Sequence, residues 1–244
     1  MRFNGTELKT VHHALSISKE IPPGMPARDI VTVETSTGEL VANVTTKQDE
    51  YRVLVNIAAR THEEAMSARE ALAAWAMSSG KEAAELEPTH MPGKAYTAIL
   101  KSAGRMEQRF GTVDVVFALT DPVLHEVTER RKSAMNAQSL TVRTGGTAPT
   151  QMNITYKANT DVNGLTMAID GTVFFALKTS YTLPAGAELK VNMHTGAVTV
   201  NDVHAENQTD YTRCDYDREL EPGEHTLTAS AAGELTARWH NKWL

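Results

Sequence analysis

Between residues 140 and 239 the chain is interrupted at near-regular intervals by turn-forming pairs, and this limits the fold more than any other feature. Asn163-Gly164, Asp170-Gly171, Pro184-Ala185-Gly186, Thr195-Gly196, Pro222-Gly223 and Ala232-Gly233 supply glycine or proline where a chain must reverse. Short runs rich in β-branched, aromatic and other apolar residues lie between them, at 140–142, 152–156, 165–169, 173–177, 188–193, 198–200, 211–214, 225–229 and 235–239. None carries the apolar period of a helix. Many short strands so punctuated, over about a hundred residues, predict a β-sandwich.

The first half reads differently. Residues 30–33, 40–45 and 51–57 are β-rich, with Thr37-Gly38-Glu39 as a hairpin turn between the first two. In the third, Val53, Val55 and Ile57 alternate with Arg52, Leu54 and Asn56, the pattern of a strand with one buried face. A helix follows. Thr61 is its N-cap and Glu64 completes a capping box, while Ala65, Ala68, Leu72, Trp75 and Ala76 form one apolar stripe. Gly80 stops it. The small alanines let the helix lie close against a sheet, with Trp75 as its core anchor. Strands at 83–86 and 95–100 come next. A long one then runs through Val113, Val115, Phe117 and Leu119 to Asp121-Pro122, where proline is expected to close it. The half reads β-β-β-α-β-β-β, an α+β unit. Residues 126–137 are polar and helix-permissive. They place the domain boundary, giving domains of 1–135 and 136–244.

Composition excludes several functions. With 41% apolar and 22% charged residues the chain has the make-up of a globular protein. Its net charge of −6 argues against nucleic-acid binding, and Arg130-Arg131-Lys132 is too short a cluster to reverse that. No apolar run approaches a membrane span. A single cysteine, Cys214, precludes an intrachain disulfide. No phosphate-binding glycine loop or nucleophile elbow occurs. The nine histidines are scattered, and His12-His13 would point to opposite faces of a strand. Asp161-x-Asn163-Gly164 opens like a calcium loop, but Thr172 stands where the closing Glu belongs, so it reads as a turn. The acidic group Asp210, Asp215, Asp217, Glu219 and Glu221 reads as a solvated sheet edge rather than paired catalytic carboxylates. No catalytic, cofactor-binding or metal-ligating residue is assigned, and no enzyme is expected.

Four stretches, in order, point to a family. They are Leu72-Ala73-Ala74-Trp75 with Glu85-Leu86-Glu87-Pro88 and Gly93-Lys94-Ala95-Tyr96; Val113-Asp114-Val115-Val116-Phe117 with Thr120-Asp121-Pro122; Gly145-Gly146-Thr147-Ala148-Pro149-Thr150; and Leu183-Pro184-Ala185-Gly186, Leu220-Glu221-Pro222-Gly223-Glu224-His225 and the closing 236–244. Together they resemble the distal tail proteins (Dit) of long-tailed phages of Gram-positive bacteria. The resemblance implies a mainly β (α+β) protein, with an N-terminal ring-forming domain carrying one flanking helix and a C-terminal galectin-like β-sandwich. It further implies a structural baseplate hub in the virion: a homo-oligomeric ring, expected to be a hexamer, that contacts the tail tube protein and the tip or receptor-binding proteins. DNA would pass through its channel without specific binding. Six copies at −6 each give −36, a charge that lets DNA slide. The alternative is a carbohydrate-binding module for a host cell-wall sugar, with Tyr156, Phe174, Phe175, Tyr181, Tyr211, Tyr216, Trp239 and Trp243 as the supply of stacking platforms.

Overall fold

The computed structural model describes residues 1–24, 28–35, 38–46, 50–104 and 111–244, with backbone only over 28–35 and 38–46. The chain divides into two compact units, Met1–His125 together with Leu244, and Glu126–Trp243.

The first unit contains β1 (Arg2–Phe3), β2 (Thr6–Glu7), a short helical turn α1 (Leu8–Val11), β3 (Leu15–Ile21), β4 (Arg28–Thr35), β5 (Gly38–Thr46), β6 (Glu50–Ile57), α2 (His62–Ala76), β7 (Ala84–Glu87), β8 (Lys94–Ala103) and β9 (Gly111–Glu126). Its main sheet has the order β2-β1-β7-β8-β9-β6-β3, and β4–β5 form a separate two-stranded ribbon. Alternation in β6 works as expected, with Tyr51, Val53, Val55 and Ile57 all buried. The expected turn falls partly outside the described residues: Thr37 is not described, and Gly38 and Glu39 already belong to β5.

Helix α2 begins at the expected cap, with Thr61 Oγ1 accepting from Glu64 N at 3.1 Å. The Glu64 carboxylate reaches Arg60 N instead, at 2.6 Å, one residue before the cap. All five residues of the predicted stripe are buried. Trp75 is 3% exposed and donates Nε1–H to Thr6 O at 2.9 Å. Its ring lies edge-on to Phe3 and Phe117, with centroids 5.9 and 6.0 Å away. Sequence reading missed residues 2–21: β1, β2 and α1 are too short to show a period, and the alternation of the seven-residue β3 is broken by a register shift between Ile17 and Lys19 that leaves only Leu15 buried. It also ended the ninth strand too soon. β9 runs through Asp121-Pro122 to Glu126, with Asp121 Oδ1 accepting from Val123 N and Leu124 buried beyond the proline. Pairing with β6 already stops at Ala118, so that partner asks no hydrogen bond of Pro122.

The second unit contains β10 (Arg130–Thr144), β11 (Met152–Ala158), β12 (Val162–Asn163), β13 (Thr166–Ile169), β14 (Thr172–Ala176), β15 (Thr182–Leu183), β16 (Glu188–Asn192), β17 (Val198–Val200), β18 (Val203–His204), β19 (Gly223–Trp239) and β20 (Lys242–Trp243). Its sheet has the order β14-β13-β19-β11-β16-β17-β18, with β10 also on β19 and a separate β12–β15 pair. One apolar cluster includes Tyr156, Met167, Phe174, Phe175, Leu189 and Trp239. The mainly β class with one long helix in the first half is as the sequence implied.

Three expectations change here. Residues 126–137 are not helical: from Arg130 on they form the start of β10, paired with the end of β19. Their polarity reflects exposure rather than helix. Second, the runs at 225–229 and 235–239 are one strand, and Ala232-Gly233 does not reverse the chain. A Cβ at Gly233 would lie 2.5 Å from Tyr156 Cε2 and 2.6 Å from Lys157 O. The glycine therefore lets the buried Tyr156 ring lie against the strand backbone, close to where the β10–β19 register shifts. Third, residues 211–214 are not a strand. Tyr211–Arg213 is a 3₁₀ turn capped by Asp210, which accepts from Thr212 N and Thr212 Oγ1.

Candidate functional site

The Gly145-Gly146-Thr147 motif occupies a close approach within the second unit. Gly146 has φ +94°, and a Cβ there would sit 1.8 Å from Lys242 O. Only glycine fits. The following N–H groups, Thr147 N and Ala148 N, donate to Lys242 O at 2.9 and 3.1 Å. Gly145 N donates to Asn241 Oδ1 at 2.7 Å, and Trp239 Nε1 donates to the same oxygen at 3.2 Å. The Asn241 amide in turn donates to Glu126 Oε2 at 3.0 Å, where Arg130 binds the carboxylate with two nitrogens. The Arg130 guanidinium holds the Glu126 carboxyl below its usual range, with help from Asn241. A clamp of short polar bonds thus ties the start of this unit to its last residues.

The open face of the same sheet carries a groove of about 430 Å³. Strand register sets its rows, since cross-strand partners share a face. Arg131, Arg238, Asn153 and Asn192 form one row across β10, β19, β11 and β16. Ser133, Thr236, Thr155, Lys190 and Thr199 form the next row on that face. Glu234, Lys157 and Glu188 form the third. The alternate residues Ala237, Ile154, Val191 and Val198 point into the core.

Candidates from the sequence lie elsewhere. Cys214 Sγ points at Asp210 O, 3.3 Å away, and Ala176 O. No histidine is among its hydrogen-bond partners in the described residues. Of the acidic group, Asp210 serves as a turn cap and Glu221 O accepts from Thr144 Oγ1. Asp161 Oδ1 accepts from Ala185 N and Asn163 Oδ1 accepts from Thr182 Oγ1. His12 and His13 follow α1 with their rings stacked at 4.6 Å, not on opposite strand faces. No cluster of three metal-ligating side chains occurs among the described residues. The aromatic platforms are largely core: Tyr156, Phe174, Phe175 and Trp239 are buried, and among the eight only Tyr211, at 59%, is well exposed.

His225 is the most constrained histidine. Its Nδ1 lies 2.7 Å from Asp170 Oδ2 and its Nε2 lies 2.7 Å from Glu221 O, both acceptors. Burial alone would lower its pKa; the bonds to Asp170 and Glu221 outweigh this and raise it. A raised folded pKa contributes stability fully present below the unfolded value, about 6.5, and lost as pH rises through the folded value. The gap in melting temperature between wild type and His225→Gln is therefore expected to narrow from pH 6 to pH 8.5. A constant gap would mean that the ring is neutral.

Residues 145–243 match the family model SPP1_Dit, siphovirus-type tail component, C-terminal domain. That match takes in most of the second unit. The match opens at Gly145, where the glycine motif begins, so the residues that make the Lys242 clamp also open the matched span. The whole chain has the fold of the Dit (gp 19.1) protein of phage SPP1, at 16% identity and a TM-score of 0.79, covering 100% of this chain and 98% of that one. That structure is described as a paradigm of the hub adsorption apparatus in phages infecting Gram-positive bacteria. A chain of the phage P2 baseplate in its activated conformation with Ca is similar at 9% identity and a TM-score of 0.50, over 93% of this chain and 90% of that one. No curated protein matches the chain. The resemblance to distal tail proteins read from the sequence is borne out.

Proposed function

We propose that the chain is a structural, non-enzymatic hub of a phage tail tip, assembled as a homo-oligomeric ring between the tail tube and the adsorption apparatus. The observation that carries this reading is the shared fold with the SPP1 Dit protein over the full length of both chains. In this reading, residues 1–135 hold the ring-forming domain and residues 136–244 the galectin-like one, the structural division falling at Glu126. Tail tube protein and tip or receptor-binding proteins are its partners, the virion its location. DNA passes through an acidic channel without being held.

Two features of the first unit support assembly. β3 ends the sheet order, with β6 as its only neighbour among the described residues, so one edge offers backbone groups to a further strand. The β4–β5 ribbon pairs only with itself among the described residues, and a lone hairpin gains stability by adding to further strands. Light scattering and negative-stain microscopy of purified protein test the reading. Ring particles of about six times the 26.6 kDa chain mass are expected. A monomer at every concentration, and also in the presence of tail tube protein, would refute ring formation.

A further inference from the structure

We propose that the groove on the open face of the second unit's sheet binds an acidic oligosaccharide, with its single anionic group held by Arg131 and Arg238. These two arginines are direct cross-strand partners on β10 and β19. Like charges so placed repel and destabilise a sheet. The only carboxylate paired with either among the described residues is that of Glu129, 3.9 Å from Arg238 Nη1. One distant carboxylate does not balance two guanidinium groups, whose forked N–H donors suit a carboxylate or phosphate. An oxyanion from outside completes the row.

The rest of the face selects what carries that anion. Asn153 and Asn192 extend the arginine row, and Ser133, Thr236, Thr155 and Thr199 offer hydroxyls in the next row, where Lys190 is already paired with Glu188 at 3.0 Å and Asp202 at 2.5 Å. Ser133 and Thr236 already bond each other at 2.8 Å. Four residues further along β11 than Asn153, Lys157 lies between Glu234 and Glu188. That is about 13 Å along the strand, room for a chain of sugar rings rather than a lone ion. Carboxylates there accept hydrogen bonds from neutral hydroxyls and repel a second anion. A continuous polyanion such as nucleic acid is thereby disfavoured. A protein partner is disfavoured too: the groove lining contains no aromatic residue, whereas protein interfaces are anchored by aromatics and depleted in Lys and Glu. The site reads saccharide by polar rows and one charge, not by ring stacking. It rests on the geometry of the second unit and stands or falls apart from ring formation.

Calorimetric titration of the full chain provides the test, with four classes of probe. A glucuronate-bearing xylotetraose and maltotetraose 1-phosphate carry the two kinds of oxyanion. Neutral xylotetraose and maltotetraose lack the charge, and an octaglutamate peptide and oligo-dT represent the other macromolecules. Saturable binding of one or both acidic saccharides is expected, at least tenfold tighter than their neutral counterparts and weakened by added salt. R131Q/R238Q is expected to lose at least tenfold in affinity without a fall in melting temperature, because it removes a repulsion. Arg131→Gln alone breaks no ion pair among the described residues and separates binding from folding. The proposal is overturned if neither acidic saccharide binds, if the neutral sugars bind as well, if affinity survives in both variants, or if the peptide or oligo-dT binds more tightly.

Discussion

Replacing Trp75 by alanine is expected to lower the stability of the N-terminal unit by about 3–5 kcal/mol, the usual cost of emptying a large aromatic site. The ring fills the space between α2 and the sheet, touching Phe3 and Phe117, which themselves lie 4.7 Å apart. Three aromatic rings in mutual contact cannot collapse into the hole without leaving their rotamers. The substitution also removes the donor to Thr6 O, a smaller effect because Thr6 is exposed and water can take the place of the indole N–H. Trp75→Phe keeps most of the volume but not the N–H, so it should recover most, not all, of the loss. Denaturant unfolding followed by far-UV circular dichroism measures both. A loss below 1 kcal/mol for the alanine variant would mean that the ring is not core.

The second large effect is expected at Gly146. An alanine there meets two penalties: a left-handed φ of +94° and a Cβ placed 1.8 Å from Lys242 O. Strain and overpacking each cost about 1–3 kcal/mol, so Gly146→Ala should destabilise the second unit by about 2–6 kcal/mol. Gly186→Ala is the comparison. Its φ of +79° carries the first penalty, yet nothing lies within 4 Å of its Cβ position. The difference between the two variants isolates the steric clash. Equal losses would show that backbone conformation alone requires glycine at 146.

How much of this was legible beforehand varies from element to element. Helix α2, its cap and its stripe could be read because fifteen residues carry several turns of one period. Most of the second unit's strands were legible through their turns, since Asn163-Gly164, Asp170-Gly171 and Thr195-Gly196 do hold glycines at positive φ. Pro122 and Gly233 misled for a shared reason. Each is a local breaker by propensity, but its strand tolerates it for tertiary causes: a pairing with β6 that has ended at Ala118 before Pro122 is reached, and a tyrosine ring at Gly233. The motif at Gly145-Gly146 could be noticed from sequence, but not its cause, which lies almost a hundred residues away at Lys242. The groove left no signal at all. Its rows exist only once four strands are set in register, and Arg131 and Arg238 are 107 positions apart in the chain.

The Lys242 clamp also bears on when this protein can finish folding during synthesis. Asn241 reaches back 96 residues to Gly145 and 115 to Glu126. Contacts so distant in sequence form late, after the entropy of closing the loop has been met. Until residues 239–242 have left the ribosome, Thr147 N and Ala148 N have no Lys242 carbonyl to bond, and Arg130 at the start of β10 lacks its partner Trp239. A prematurely terminated chain would therefore expose that edge to proteases and chaperones. Only a chain translated through this segment has a closed second unit.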